Sequence, residues 1–132
     1  DTGRINMLCA VLSRRASLAL QDQDVYVNVT GGVRVEEPAA DLGVALAIAS
    51  AMRDRPVGKG TACFGEVGLT GDVRYVSGAQ RRTSEMAKMG FGRIIRPEGT
   101  PDGPEQTDGS TRREASVVEV STLEEAVAVA LL

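Results

Sequence analysis

Residues 36–54 read EEPAADLGVALAIASAMRD, and the fold turns on how this stretch is read. From Ala40 to Met52 it is apolar nearly all round. A helix with no polar face is normally central, buried by sheet on one side and by another element on the other. The spacing predicts a helix over 38–54, with Pro38 in its first turn and Asp41 near the positive end of its dipole. Enzymes often place a nucleophile at such a helix start. Residues 36–43 contain no serine, cysteine, threonine or histidine. The plainest reading of Pro38-Ala39-Ala40-Asp41 is a helix start without chemistry.

Working outward, residues 4–20 (RINMLCAVLSRRASLAL) predict another helix, with Ile5, Leu8, Leu12, Ala16 and Ala19 on one face. DVYVNVT, residues 24–30, alternates Val25, Val27 and Val29 on one side, as a half-buried strand does. Gly31-Gly32 turns the chain and VRVEE (33–37) reads as a second short strand. Downstream, 61–76 reads as two short strands around a glycine-rich turn. Residues 77–90 predict a helix with Ala79, Thr83, Met86, Ala87 and Gly90 on its inner side. Arg81–Glu85 and Glu85–Lys88 support its outer side, and Gly90 is its C-cap. GRIIRP (92–97) and ASVVEV (115–120) read as strands around a Gly/Pro/Asp-rich loop, 98–114, expected to be mobile. Residues 121–132 predict a last helix, with Ser121 and Glu124 as a capping box. The order implies an α+β fold, a mixed sheet covered by helices.

At 132 residues the chain is one domain or a fragment of a longer one. Residues 1–99 carry 13 Lys+Arg against 11 Asp+Glu, and residues 100–132 carry 2 against 7. The body is mildly basic and the tail acidic, short of the strongly basic pattern of a dedicated nucleic-acid binder. Two Phe, two Tyr and no Trp leave few platforms for base stacking. Cys9 and Cys63 sit in apolar runs without metal-ligand spacing, and read as small buried hydrophobes in a reducing compartment. No signal peptide or membrane-spanning run is evident, so a cytoplasmic protein is expected.

The chain has no histidine, which excludes Ser-His-Asp and Cys-His catalysis and histidine-bearing zinc sites. Carboxylate, lysine or substrate-assisted chemistry is left. Ser77 lies eleven residues before Lys88, about 16 Å along a helix, too far to pair. Ser84 and Lys88 are one turn apart, a common surface arrangement. VGKGT around Lys59 lacks the first glycine of a phosphate loop.

Three segments together, GGVRVEEPAADLGVALAIASAMRDRPV, FGEVGLTGDVRYVSGAQRRTSEMAKMGF and RIIRP, resemble the Lon-protease-like C-terminal domain of RadA-type (Sms) bacterial DNA-repair proteins. The helix and strand over 7–29 resemble the segment that precedes them in that family. The resemblance runs from about residue 4 to residue 97, with a weaker match in the helical ending. Active Lon-type proteases use a Ser-Lys dyad. The resemblance lays the serine position on Ala39, after Pro38, and the lysine position on Gln80, after Gly78-Ala79. Alanine has no nucleophilic oxygen, and a glutamine amide is no general base.

The resemblance implies a catalytically inactive domain that serves as ring-assembly scaffold and DNA-contacting surface in homologous recombination, repair and branch migration. It implies a homo-hexamer, single-stranded or branched DNA as partner, an ATPase core in the same chain, a RecA-type recombinase as collaborator and no membrane. ATP, Mg and Zn are expected in other parts of the parent chain, since this sequence has no CxxC pair and no GxxxxGK[ST] loop. DNA contact would read phosphates through cations, for which Arg14, Arg15, Arg34, Arg74, Arg81, Arg82 and Lys88 are candidates. The alternative for the arginine pairs is a solvated helix face, and for Arg74 an ion pair with Glu66 or Asp72. Two other functions stand beside this one: a peptidase with another dyad, and a pure oligomerisation module. Magnesium-chelatase-like competence proteins share a related fold. Members of the family begin with strand-forming sequence ahead of the first helix, so an exposed sheet edge is expected here.

Overall fold

The computed structural model describes residues 1–101 and 115–132. Helix α1 (Thr2–Arg15) is capped by Asp1, whose side chain accepts from the Gly3 N–H. A 3-10 turn, Pro38–Ala40, leads into α2 (Asp41–Arg53). Strands β1 (Thr61–Cys63), β2 (Glu66–Val67) and β3 (Val73–Arg74) follow, then α3 (Ala79–Lys88), β4 (Arg93–Pro97), β5 (Ser116–Val120) and α4 (Leu123–Ala130). β1, β4 and β5 form a parallel sheet in that order, while β2 and β3 form a short antiparallel hairpin. The fold is α+β.

Strand periodicity sorts the core into two layers. Ile95 points into a large cluster with Leu8 and Leu12 of α1, Leu42 and Leu46 of α2, and Leu123 and Val127 of α4. Its neighbour Ile94 points the other way, into a smaller cluster with Ala39, Phe64, Val76 and Ala79, against which Met86 and Ala87 of α3 pack. Three helices therefore cover one face of the sheet and α3 the other. The all-apolar face of α2 has its explanation here, since Leu42, Ala45, Leu46, Ile48 and Ala49 are all buried.

Several expectations need correction. The first helix stops at Arg15, not Leu20: Ser17 takes a left-handed φ of 57°, and Ala19 is exposed. Residues 24–30 and 33–37 are not strands. They run out and back around Gly31-Gly32 without a ladder partner among the described residues, and Tyr26 is 91% exposed. Alternation of side chains was present, but a strand also needs a neighbour for its N–H and C=O groups. The stretch 61–76 holds three strands, because Gly65 breaks the run between β1 and β2. The last helix starts at Leu123. Its cap is Thr122, which accepts from the Glu125 N–H at 3.1 Å, while Glu125 reaches back to Ser121. The capping box is thus one residue later than Ser121/Glu124, because an isolated bridge between Asp72 and Thr122 holds Thr122 extended. Most of the 98–114 loop lies outside the described residues.

The ending of α3 follows the sequence. Gly90, at φ 95°, donates to Ala87 O, and Phe91 N–H donates to Met86 O at 3.2 Å, the paired bonds of a Schellman cap.

Candidate functional site

The start of α2 is built by backbone rather than by a capping side chain. Glu37 is extended, as a residue before proline must be, and Pro38 occupies the first position of the turn. Gly65 donates to Ala39 O at 2.9 Å and accepts from Leu42 N–H at 3.1 Å. It thereby satisfies one of the orphan donors of the first helical turn. A Cβ on Gly65 would stand 2.8 Å from Val73 Cγ1, so the close approach requires glycine.

Asp41 is buried, at 3% exposure, and is the electrostatic centre of this region. Arg4 grips it through Nε and Nη2, each at 2.5 Å, and Val67 N–H donates to it at 3.1 Å. One carboxylate thus ties α1, α2 and β2. The hydrogen bond to Asp41 raises the Arg4 pKa further above its ordinary value, against a smaller lowering by burial. The sequence assigned Asp41 only to the helix dipole; its link to Arg4, 37 residues away, was invisible there.

The two segments on which the resemblance laid the dyad positions lie together. Ala39 and Ala79 share one apolar cluster, and Arg82 Nη2 reaches Glu37 Oε1 at 2.9 Å. Gln80, next to Ala79, is exposed. Ala39 clusters with Phe64, Val76 and Ile94. Two surface grooves, about 930 and 600 Å³, include none of Ala39, Ala79 and Gln80. Both flank the unladdered segment 24–37, the larger against α2 and the smaller against α1 and α2. Ser77 is exposed and its carbonyl accepts from Arg82 Nε at 3.1 Å, while Lys88 stands 4.0 Å from Glu85. Among the described residues no contact aims Lys88 at a serine.

The seven candidate cations divide into two groups. Arg34 pairs with Glu36 at 2.8 Å, Arg74 with Asp72 at 2.6 Å, Arg82 with Glu37, and Lys88 with Glu85. Arg74 holds the Asp72 carboxyl below the usual carboxylate range, with help from the Thr70 hydroxyl. Arg14, Arg15 and Arg81 have no ion pair among the described residues and are exposed. Arg15 lays its stem on the β2–β3 turn, where a Cβ on Gly71 would meet it at 2.9 Å. The seven therefore differ in what they have left to offer an anion. Cys9 and Cys63 are free thiols, and burial pushes Cys63 up to about 11. Among the described residues no helix is long and apolar enough to cross a membrane.

The chain matches the family of the Lon protease (S16) C-terminal proteolytic domain over residues 9–132, and it belongs to that family. Within it, the chain is 47% identical over 131 residues to the DNA repair protein RadA of Halalkalibacterium halodurans, covering 99% of this chain and 28% of that protein. The DNA repair protein RadA of Bacillus subtilis is 48% identical over 103 residues, 78% of this chain and 22% of its own length. That of Listeria monocytogenes is 41% identical over 132 residues, 99% of this chain and 28% of its own. The chain thus matches between 22% and 28% of the length of these relatives.

Proposed function

We propose that this chain is a catalytically silent Lon-type domain of a RadA-type DNA-repair protein. It acts as a ring-assembly scaffold, as a homo-hexamer, and as a surface that contacts DNA phosphates without reading sequence. The observation that supports this reading is the meeting of the two helix starts on which the resemblance lays the dyad. The segments around Ala39 and Gln80 are held together by the Glu37–Arg82 pair and a shared apolar cluster, yet neither residue has the required chemistry. Similarity to proteins named for DNA repair supports the biological setting. In this reading ATP hydrolysis, with its Mg and Zn, belongs to the remainder of the parent chain, as do branch migration and any work with a RecA-type recombinase.

The test is turnover of a fluorogenic peptide and of unfolded casein by the wild-type chain and by Ala39→Ser/Gln80→Lys. Wild type is expected to be silent. The double variant is expected to stay silent too, since the hydroxyl introduced at position 39 would be enclosed by Phe64, Val76 and Ile94. Turnover by wild type that Ser77→Ala or Ser84→Ala abolishes would overturn the reading in favour of a peptidase with another dyad.

A further inference from the structure

The parallel register sets the turn that carries Lys59 beside Arg93, two cations that the sequence keeps apart, and Arg55 lies four residues before Lys59. Thr61, Arg93 and Ser116 are aligned across β1, β4 and β5, so the strands begin at one common edge. Lys59 lies two residues ahead of β1, and Arg93 opens β4. Gly60 O accepts from both Gly92 N–H, at 3.1 Å, and Arg93 N–H, at 3.3 Å, which seats the Lys59-Gly60 turn against the start of β4. The Arg93 guanidinium reaches to 4.0 Å from where a Cβ on Gly58 would stand. Arg55 leads into the same loop from the end of α2, beside the exposed Asp54.

This loop is held, not loose. Arg55 N–H donates to Ser50 O, Gly58 N–H to Ala130 O, Thr61 N–H to Gly58 O, and Leu132 N–H to Pro56 O, all between 3.0 and 3.2 Å. Val57 bridges Leu131. None of Arg55, Lys59 and Arg93 has an ion pair among the described residues, whereas four of the seven cations singled out from sequence are occupied. Lys59 and Arg55 are exposed and Arg93 is half-buried. Unpaired cations have no ion pair to break when they meet an anion, and phosphate contacts need positioned charge rather than base-reading groups.

We infer that Arg55, Lys59 and Arg93, at the leading edge of the parallel sheet, form the phosphate-contacting site for single-stranded DNA. The inference rests on the DNA-contact reading above and names the surface. The experiment is fluorescence anisotropy of a labelled oligo-dT, about thirty nucleotides long, across a salt series. It compares wild type, Arg55→Gln/Lys59→Gln/Arg93→Gln, and a control in three cations already held by carboxylates, Arg34→Gln/Arg74→Gln/Lys88→Gln. For single strands each neutralised phosphate contributes about 0.7 to the slope of log K against log salt, so the edge variant is expected to lose about 2 from that slope. The control is expected to keep the wild-type slope. If the control loses the slope and the edge variant keeps it, the site is wrong but DNA contact stands. If wild type fails to bind at low salt, DNA contact by this chain fails, and the site with it. Should the triple variant unfold in urea at lower concentration than wild type, Arg55→Gln/Lys59→Gln, both in the exposed loop, carries the test with an expected loss of about 1.4 in slope.

Discussion

Replacing Asp41 by alanine is the perturbation that the structure makes most quantitative. Three donors lose their acceptor: Arg4 Nε, Arg4 Nη2 and the Val67 N–H. An orphaned buried N–H costs about 1–3 kcal/mol. An acidic group at a helix N-terminus contributes about 0.3–1 kcal/mol. Breaking a buried ion pair typically costs about 3–5 kcal/mol, but the Arg4 side chain is 37% exposed and its charge can turn to water. The sum therefore falls near the lower end, about 3 kcal/mol. Asp41→Asn keeps an acceptor for Val67 and is expected to cost about half as much. The assay is urea unfolding followed by far-UV circular dichroism, reading the midpoint at constant m. A double-mutant cycle with Arg4→Met is expected to give a coupling of at least about 1 kcal/mol. A cost below about 1 kcal/mol for Asp41→Ala, or coupling indistinguishable from zero, would refute the role of this carboxylate as the tie between α1, α2 and β2.

Other consequences follow from single residues. Gly65→Ala forces a Cβ to 2.8 Å from Val73 Cγ1 and 3.4 Å from Pro97 Cγ, and a loss of about 1–3 kcal/mol is expected in the same urea assay. Asp54 holds a left-handed φ of 51° after α2, so Asp54→Gly is expected to raise stability by about 0.5–1 kcal/mol; a loss would show that the Asp54 side chain has a role of its own. The Asp72 carboxyl is lowered by its hydrogen bonds from Arg74 and Thr70, so its stabilising contribution is present above the ordinary aspartate value and is lost as pH falls through the lower folded value. Carbon-detected NMR titration should show that midpoint move up in Arg74→Gln. Burial raises Cys63 to about 11, so its alkylation by iodoacetamide in the folded chain should stay slow at about pH 8 and accelerate only as pH approaches that value. Fast labelling under the milder condition in a Cys9→Ala background would contradict this.

The sequence was most informative where one local signal decided the outcome. The apolar wrap of α2 told both that it is a helix and that it is central, and Gly90 ended α3 as expected. The signal failed where the deciding partner lay far along the chain. Val25, Val27 and Val29 alternate as strand residues do, but alternation reports faces and not hydrogen-bonding neighbours, and no strand lies alongside them among the described residues. Ser121 and Thr122 are both competent caps; the bridge to Asp72, far earlier in the chain, chose Thr122. The two helix starts were legible from Pro38 and Gly78, which mark them. The fate of the cations was not. Arg82 finds Glu37 across 45 residues, and the Lys59-Gly60 turn is seated against Arg93 only because β1 and β4 run parallel in one register. Charge in a sequence shows how many cations there are, and tertiary pairing decides which of them are free.

The central claim is that this Lon-type domain has exchanged peptide chemistry for contact with DNA, and its most direct test is the salt dependence of single-stranded DNA binding by the unaltered chain. The account predicts binding at low salt that weakens linearly in log K against log salt, with a slope of about −2 or steeper for three or more phosphate contacts. No binding at low salt, or binding indifferent to salt, would contradict it and leave assembly as the domain's remaining role.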